Sequence, residues 1–233
     1  MSDALERVRG VRELPLFPLP LVLFPGVPLP LHIFEERYRR LLADVRVSNN
    51  LFGLPYFENP VTEDSRPPAN HVGCVAEVVE AQSLEDGRSN ILTVGVVRYR
   101  LSGYVEAGEP YLVGRVEFFA DEDEEKDLLA RRAGRVSELF GRIARSVRAL
   151  NDDRSPVPEL PADDPERLSF LVAAAVEMEN ADKQELLELR SAAARLARLA
   201  RLLARVVDNY EARARAHTLA KGNGHGGRKV DLG

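Results

Sequence analysis

Between Glu13 and Gly26 the chain reads ELPLFPLPLVLFPG, with four prolines set among leucine, valine and phenylalanine. Residues this apolar must be buried. Proline, however, cannot donate to a strand ladder and is tolerated in sheets only at edges, strand starts and bulges. Pro15, Pro18, Pro20, Pro28 and Pro30 therefore mark strands that enter a sheet obliquely or lie at its rim. Phe24-Pro25-Gly26-Val27 fits a type II turn, with proline presetting φ at the second position and glycine accepting positive φ at the third. The same prolines keep every apolar window short of the roughly 18 residues of a membrane span.

Two periodicities follow. From Arg12 to Ala120 short β segments alternate with Pro, Gly and Asn: Val27 to Phe34, His71 to Gln82, Ser89 to Tyr104 and Tyr111 to Ala120. Asp86-Gly87 predicts a hairpin between the second and third of these. About six short strands favour a closed or nearly closed antiparallel barrel. One helix interrupts them, with Phe34, Tyr38, Leu41, Leu42 and Val45 on its inward face.

After the acidic run Asp121 to Asp127 the period becomes 3.5. Leu129, Ala133, Val136, Phe140, Ile143, Val147 and Leu150 form one seam; Leu186, Leu189, Ala193, Leu196, Ala200, Leu203, Val207 and Tyr210 form another. Asp164-Pro165-Glu166 reads as an N-cap opening a shorter helix between them, and Asp182 with Glu185 as a capping box opening the last one. The expected fold is α+β: a β-barrel of about six antiparallel strands with one inserted helix, followed by a helical bundle whose last helix is long. Its parts are an N-terminal extension (1–11), the barrel (12–120), the bundle (121–217) and a disordered tail (218–233).

No catalytic constellation emerges. The tail GNGHGGRK lacks the strand and the Lys-Ser/Thr pair of a phosphate-binding loop. His32 and Glu35 have no second histidine or cysteine at metal-ligand spacing. His71 and Cys74, three apart in a strand, leave on opposite faces. The acidic run lacks the glycine and alternation of a calcium loop. No metal, cofactor or catalytic residue is expected.

The segment LPLFPLPLVLFPGVPLPLHIFEERYRRLLADV (14–45) resembles the opening of the Lon protease N-terminal, substrate-binding domain. VGCVAEVVEAQSLEDGRSNILTVGVVRYRLSGY (72–104) is similar to that family's middle hairpin, and KQELLELRSAAARLARLARLL (183–203) to its last helix. The resemblance implies a PUA-like barrel followed by helices. It also implies a stand-alone member without the ATPase and Ser-Lys peptidase domains of Lon, related to a peptidase by kinship and not an enzyme.

On this reading the chain is a non-catalytic module that recognises polypeptide, either unfolded segments or a partner protein. Phe34, Tyr38, Tyr56 and Phe57 are the candidate polypeptide-binding residues, since aromatics beside loops and helix faces can line a cleft, although the same residues can equally be core. The alternatives are RNA binding, because PUA-like barrels accompany RNA-modifying enzymes, and an unrecognised hydrolase. Against nucleic acid stands the acidic β region, in a chain of net charge −5. A single cysteine and the lack of a leader pattern predict a cytoplasmic protein without a membrane segment, and self-association through the last helix stays open.

Overall fold

The computed structural model describes residues 3–62, 65–153, 155–157 and 159–223. The elements run α1 (Asp3–Arg7), β1 (Glu13–Leu16), β2 (Pro28–Ile33), α2 (Glu36–Val47), β3 (Leu51–Pro55), β4 (Val72–Ser83), β5 (Ser89–Val105), β6 (Leu112–Phe119), α3 (Lys126–Leu150), α4 (Pro165–Ala175), α5 (Asn180–Glu188) and α6 (Ala192–Asn223). They divide into two units. The first runs to Asp123 and takes in Phe170–Ser191; the second comprises Glu124–Ser169 and the chain from Ala192 onward.

In the first unit the strand order is β2-β5-β4-β3-β1-β6, and β6 pairs back onto β5, closing five strands into a barrel. Closure is possible because β5 is 17 residues long: Ser89–Val94 pairs with β2 and Arg98–Val105 with β6. The predicted hairpin joins β4 to β5, with Gly87 at φ 78 and its N–H donating to Leu84 O at 3.0 Å. One pairing departs from the all-antiparallel expectation, for β1 and β3 run parallel. The intervening β2 and α2 return the chain to the same end of the sheet, as a parallel connection requires.

Pro28 and Pro30 of β2 occupy tolerated places, whereas Pro15 lies in β1, which is flanked by β3 and β6 and is not at the rim. β2 pairs only with β5. Gly95 N–H donates to Val27 O at 3.0 Å, so odd-numbered residues of this strand face β5. Pro28 and Pro30, one and three residues after Val27, belong to the alternate set, so the positions that lack an N–H lie on the open edge, where they block unwanted strand pairing. The turn before β2 forms as predicted: Gly26 has φ 76 and Val27 N–H donates to Phe24 O at 3.2 Å.

α2 buries Tyr38, Leu41, Leu42 and Val45 against Phe17, Phe52 and Leu54. Phe34 falls before the helix and off this seam, 60% exposed. A second cluster holds Leu14, Leu16, Leu51, Val75, Tyr99 and Leu101, and Val8 joins it, so the first eleven residues contribute to the core.

The last predicted helix is two helices. The capping box is not the start, because α5 begins at Asn180 with Glu179 at the N-cap, placing Asp182 in the first turn. α5 ends at Glu188, its C-cap Leu189 turns to extended backbone (φ −63, ψ 122), and α6 begins at Ala192. The cause is Arg98 of β5, which donates to Leu187 O (2.9 Å) and Leu189 O (2.6 Å) and pairs with Asp121. α4 opens as predicted, with Arg167 N–H donating to Asp164 Oδ1 at 2.9 Å.

In the second unit α3 and α6 run parallel: Arg132 donates to Ala193 O at 2.6 Å and, further along both helices, Arg142 grips Glu211 at 2.7 and 3.1 Å. Arg195, fully buried, donates to Ser169 Oγ at 2.7 Å. α6 continues through residues 218–223, expected in the tail; residues 224–233 lie outside the described residues.

Replacing Arg98 by Met leaves the Asp121 carboxylate buried without its cation, a loss of about 3–5 kcal/mol, measurable by urea unfolding. Tyr99→Phe has the opposite sign. The Tyr99 hydroxyl is buried with no hydrogen-bond partner among the described residues, so its removal leaves stability unchanged or raises it by up to about 1 kcal/mol; a loss above that size would show that the hydroxyl has a partner.

Candidate polypeptide-binding groove

The first turn of α2 stands beside the loop that precedes β6. Between them lies a cleft of about 720 Å³ lined by Glu35, Glu36, Arg37, Arg40, Glu109 and Pro110. A second hollow of about 280 Å³ shares Arg37, Glu109 and Pro110 and adds Tyr38, Thr62, Arg66 and Tyr111.

The charges of this groove are largely matched. Arg37 bonds Glu35 at 2.8 Å and lies 4.6 Å above the Tyr38 ring. Arg40 meets Asp44 at 3.0 Å and Glu109 at 3.7 Å. Tyr111 donates its hydroxyl to Asp44 at 2.8 Å; burial, then this hydrogen bond to a carboxylate, raises its pKa. Arg66 lies 4.1 Å above Tyr104, whose hydroxyl donates to Pro67 O at 2.7 Å. Burial pushes Tyr104 up to about 12, against the opposing effect of Arg66. Guanidinium on aromatic gives the walls broad, flat faces that remain polar at their edges.

The four aromatics singled out by sequence do not gather into one patch. Phe34 is exposed one residue before Glu35 and stacks on His32 at 6.1 Å. Tyr38 is core, 4% exposed, its ring 4.0 Å from that of Phe17, although its edge reaches the smaller hollow. Tyr56 and Phe57 continue β3 beside Leu19, with Phe57 N–H donating to Leu19 O at 2.8 Å. Both are half-buried, and the Tyr56 hydroxyl donates to Glu58, which raises it to about 12. Arg37, Arg66, Glu109 and Tyr111 went unmarked in the sequence. They come from separate segments and share no spacing; only the closed barrel brings them together.

Other candidate chemistry resolves into structure. His32 Nδ1 meets Asn90 Oδ1 at 2.7 Å. Among the described residues no three His, Cys, Asp or Glu side chains are placed to hold a metal, and no helix is long and apolar enough to cross a membrane. Cys74 is fully buried, and burial pushes its thiol to about 12.

A barrel of this topology followed by long helices has known counterparts. The family model of the ATP-dependent protease La (LON) substrate-binding domain matches residues 13–205, and the chain belongs to that family. Lon protease of Escherichia coli (strain K12) is 26% identical over 216 residues, covering 90% of this chain and 27% of that protein. Among solved structures, the Lon N-terminal domain protein from Xanthomonas campestris shares the fold with a TM-score of 0.57 and 24% identity, over 81% of this chain and 97% of that one. The N-terminal domain of a Mycobacterium avium complex Lon protease aligns with a TM-score of 0.64 and 16% identity, over 83% and 98%. The chain spans about a quarter of the length of the curated relatives it matches.

Cys74 sets a pH dependence. Its folded-state pKa of about 12 lies above its ordinary 9.0, so the folded protein keeps a proton that the unfolded chain releases. Stability is therefore full below pH 9 and declines from there toward 12, by about 1.4 kcal/mol per pH unit at most from this group. Cys74→Ser removes that part of the slope, and in the native wild type a thiol reagent at pH 8 should react only at the rate of unfolding.

Proposed function

We propose that this chain is a polypeptide-recognition module, acting without chemical transformation and without a cofactor. It binds unfolded segments or a partner protein in the groove beside α2, with Phe34 at its rim. The observation that carries this reading is the position of Phe34: a large aromatic, 60% exposed, one residue before Glu35 of a cleft whose charges, Glu36 aside, are paired. An exposed aromatic supplies binding energy through burial, while matched charges at the walls suit a peptide backbone of varied sequence. The family's description as a substrate-binding domain supports the same reading. The buried free cysteine is in keeping with a cytoplasmic setting.

Fluorescence anisotropy with labelled, permanently unfolded casein tests it. The wild-type chain binds the unfolded probe in preference to a native protein of similar size. Phe34→Ser, which alters an exposed position and leaves the fold intact, weakens that binding by about tenfold, or about 1.4 kcal/mol. Equal binding by wild type and variant, or no preference for the unfolded probe, would refute the assignment.

A further inference from the structure

α3 and α6 each carry seven Lys or Arg and two Asp or Glu, which makes the pair ten charges positive in a chain whose total is −5. Averaging over the whole chain hides this segregation. Part of it is matched locally: Glu211 of α6 bonds Arg142 at 2.7 Å, and Asp208 stands 3.7 Å from the same guanidinium. Both carboxylates of α6 are thereby engaged on the side toward α3. Arg201, Arg205 and Arg213 are exposed and make no ion pair with a described residue. With Asn209 they fall at four-residue steps, a single row along α6. Leu202 and Val206 form part of the adjoining row, with Val206 38% exposed, and Leu219 further along is 67% exposed.

Like charges at four-residue spacing oppose helix formation, and opposite charges brought alongside relieve the repulsion. The neighbouring apolar row narrows what can bring them. A phosphate backbone supplies charge but no apolar surface, and a polymer longer than the helix meets a molecule that is negative overall. An amphipathic helix with Asp or Glu at four-residue steps and apolar residues beside them satisfies both rows together. We propose that the outer face of α6 docks an acidic amphipathic helical segment of a partner protein. This surface belongs to the second unit and does not rest on the groove reading.

The test uses the full chain and a labelled 18-residue peptide with glutamates in a four-residue row and leucines in the next. Its comparators are a peptide of the same composition without a face and a 20-base-pair DNA duplex. At 50 mM salt the amphipathic peptide binds about tenfold or more tighter than either comparator, and 300 mM salt weakens it by about tenfold. The triple variant R201Q/R205Q/R213Q loses about tenfold in affinity with unchanged helicity by circular dichroism, and the corresponding Arg→Lys triple retains most of it. The proposal is overturned by no binding, by equal binding of the faceless peptide, by tighter binding of the duplex, by an unaffected glutamine triple, or by light scattering that shows two copies of the chain pairing through this face.

Discussion

A buried guanidinium is costly unless it is paired and hydrogen-bonded, and Arg98 is both. It is 2% exposed, pairs with Asp121, donates to the carbonyls of Leu187 and Leu189, and lies between the rings of Phe119 at 4.6 Å and Phe170 at 5.3 Å. Those two carbonyls would otherwise seek partners in a continuing helix. By accepting from Arg98 they end α5 and hold it to the barrel. Two amides complete the attachment: Gln184 Nε2 donates to Val72 O at 2.9 Å, and Asn180 Nδ2 to Pro20 O at 3.0 Å. A helical segment remote in sequence thus belongs to the sheet unit through hydrogen bonds to main-chain carbonyls, which any residue supplies.

This explains which parts of the fold were legible in the sequence. The four quoted strand segments, the Phe24–Val27 turn, the Gly87 hairpin, four of the five inward residues of α2 and the Asp164 cap follow from local chemistry and formed as read, whereas β3 went unread. The break at Leu189–Ser191 was not legible, because the heptad runs unbroken through Leu186, Leu189, Ala193 and Leu196 while its cause sits on β5. The parallel pairing of β1 with β3 depends likewise on where the chain returns after α2. Helical phase marked Tyr38 as inward, and core is where it lies; Phe34, assigned to the same face, precedes the helix and escapes burial.

The groove beside α2 has no sequence signature because its makers are ordinary surface residues. What distinguishes it is that most of its charges neutralise one another, Arg37 with Glu35 and Arg40 with Asp44 and Glu109, leaving Glu36. A surface whose charges are already paired attracts no particular ionic sequence and repels none strongly. If the groove takes polypeptide as proposed, selectivity then falls to shape and to exposed aromatic area, which would give a physical basis for tolerance toward varied sequences.

Arginine outnumbers lysine throughout this chain, and as a composition the excess says nothing about function. Many arginines are held in surface ion pairs, as Arg40 and Arg142 are, and three further environments stand out. Arg98 and Arg195 are buried and fix main chain or a neighbouring hydroxyl. Arg37 and Arg66 lie flat on tyrosine rings, where a planar cation adds area as well as charge. Arg201, Arg205 and Arg213 have neither ring nor carboxylate among the described residues and stand in a row facing solvent. The first two kinds are satisfied within the fold, so substituting them disturbs structure. The third has no such contact among the described residues, and the helix holds it against its own repulsion, which a partner of opposite charge would relieve.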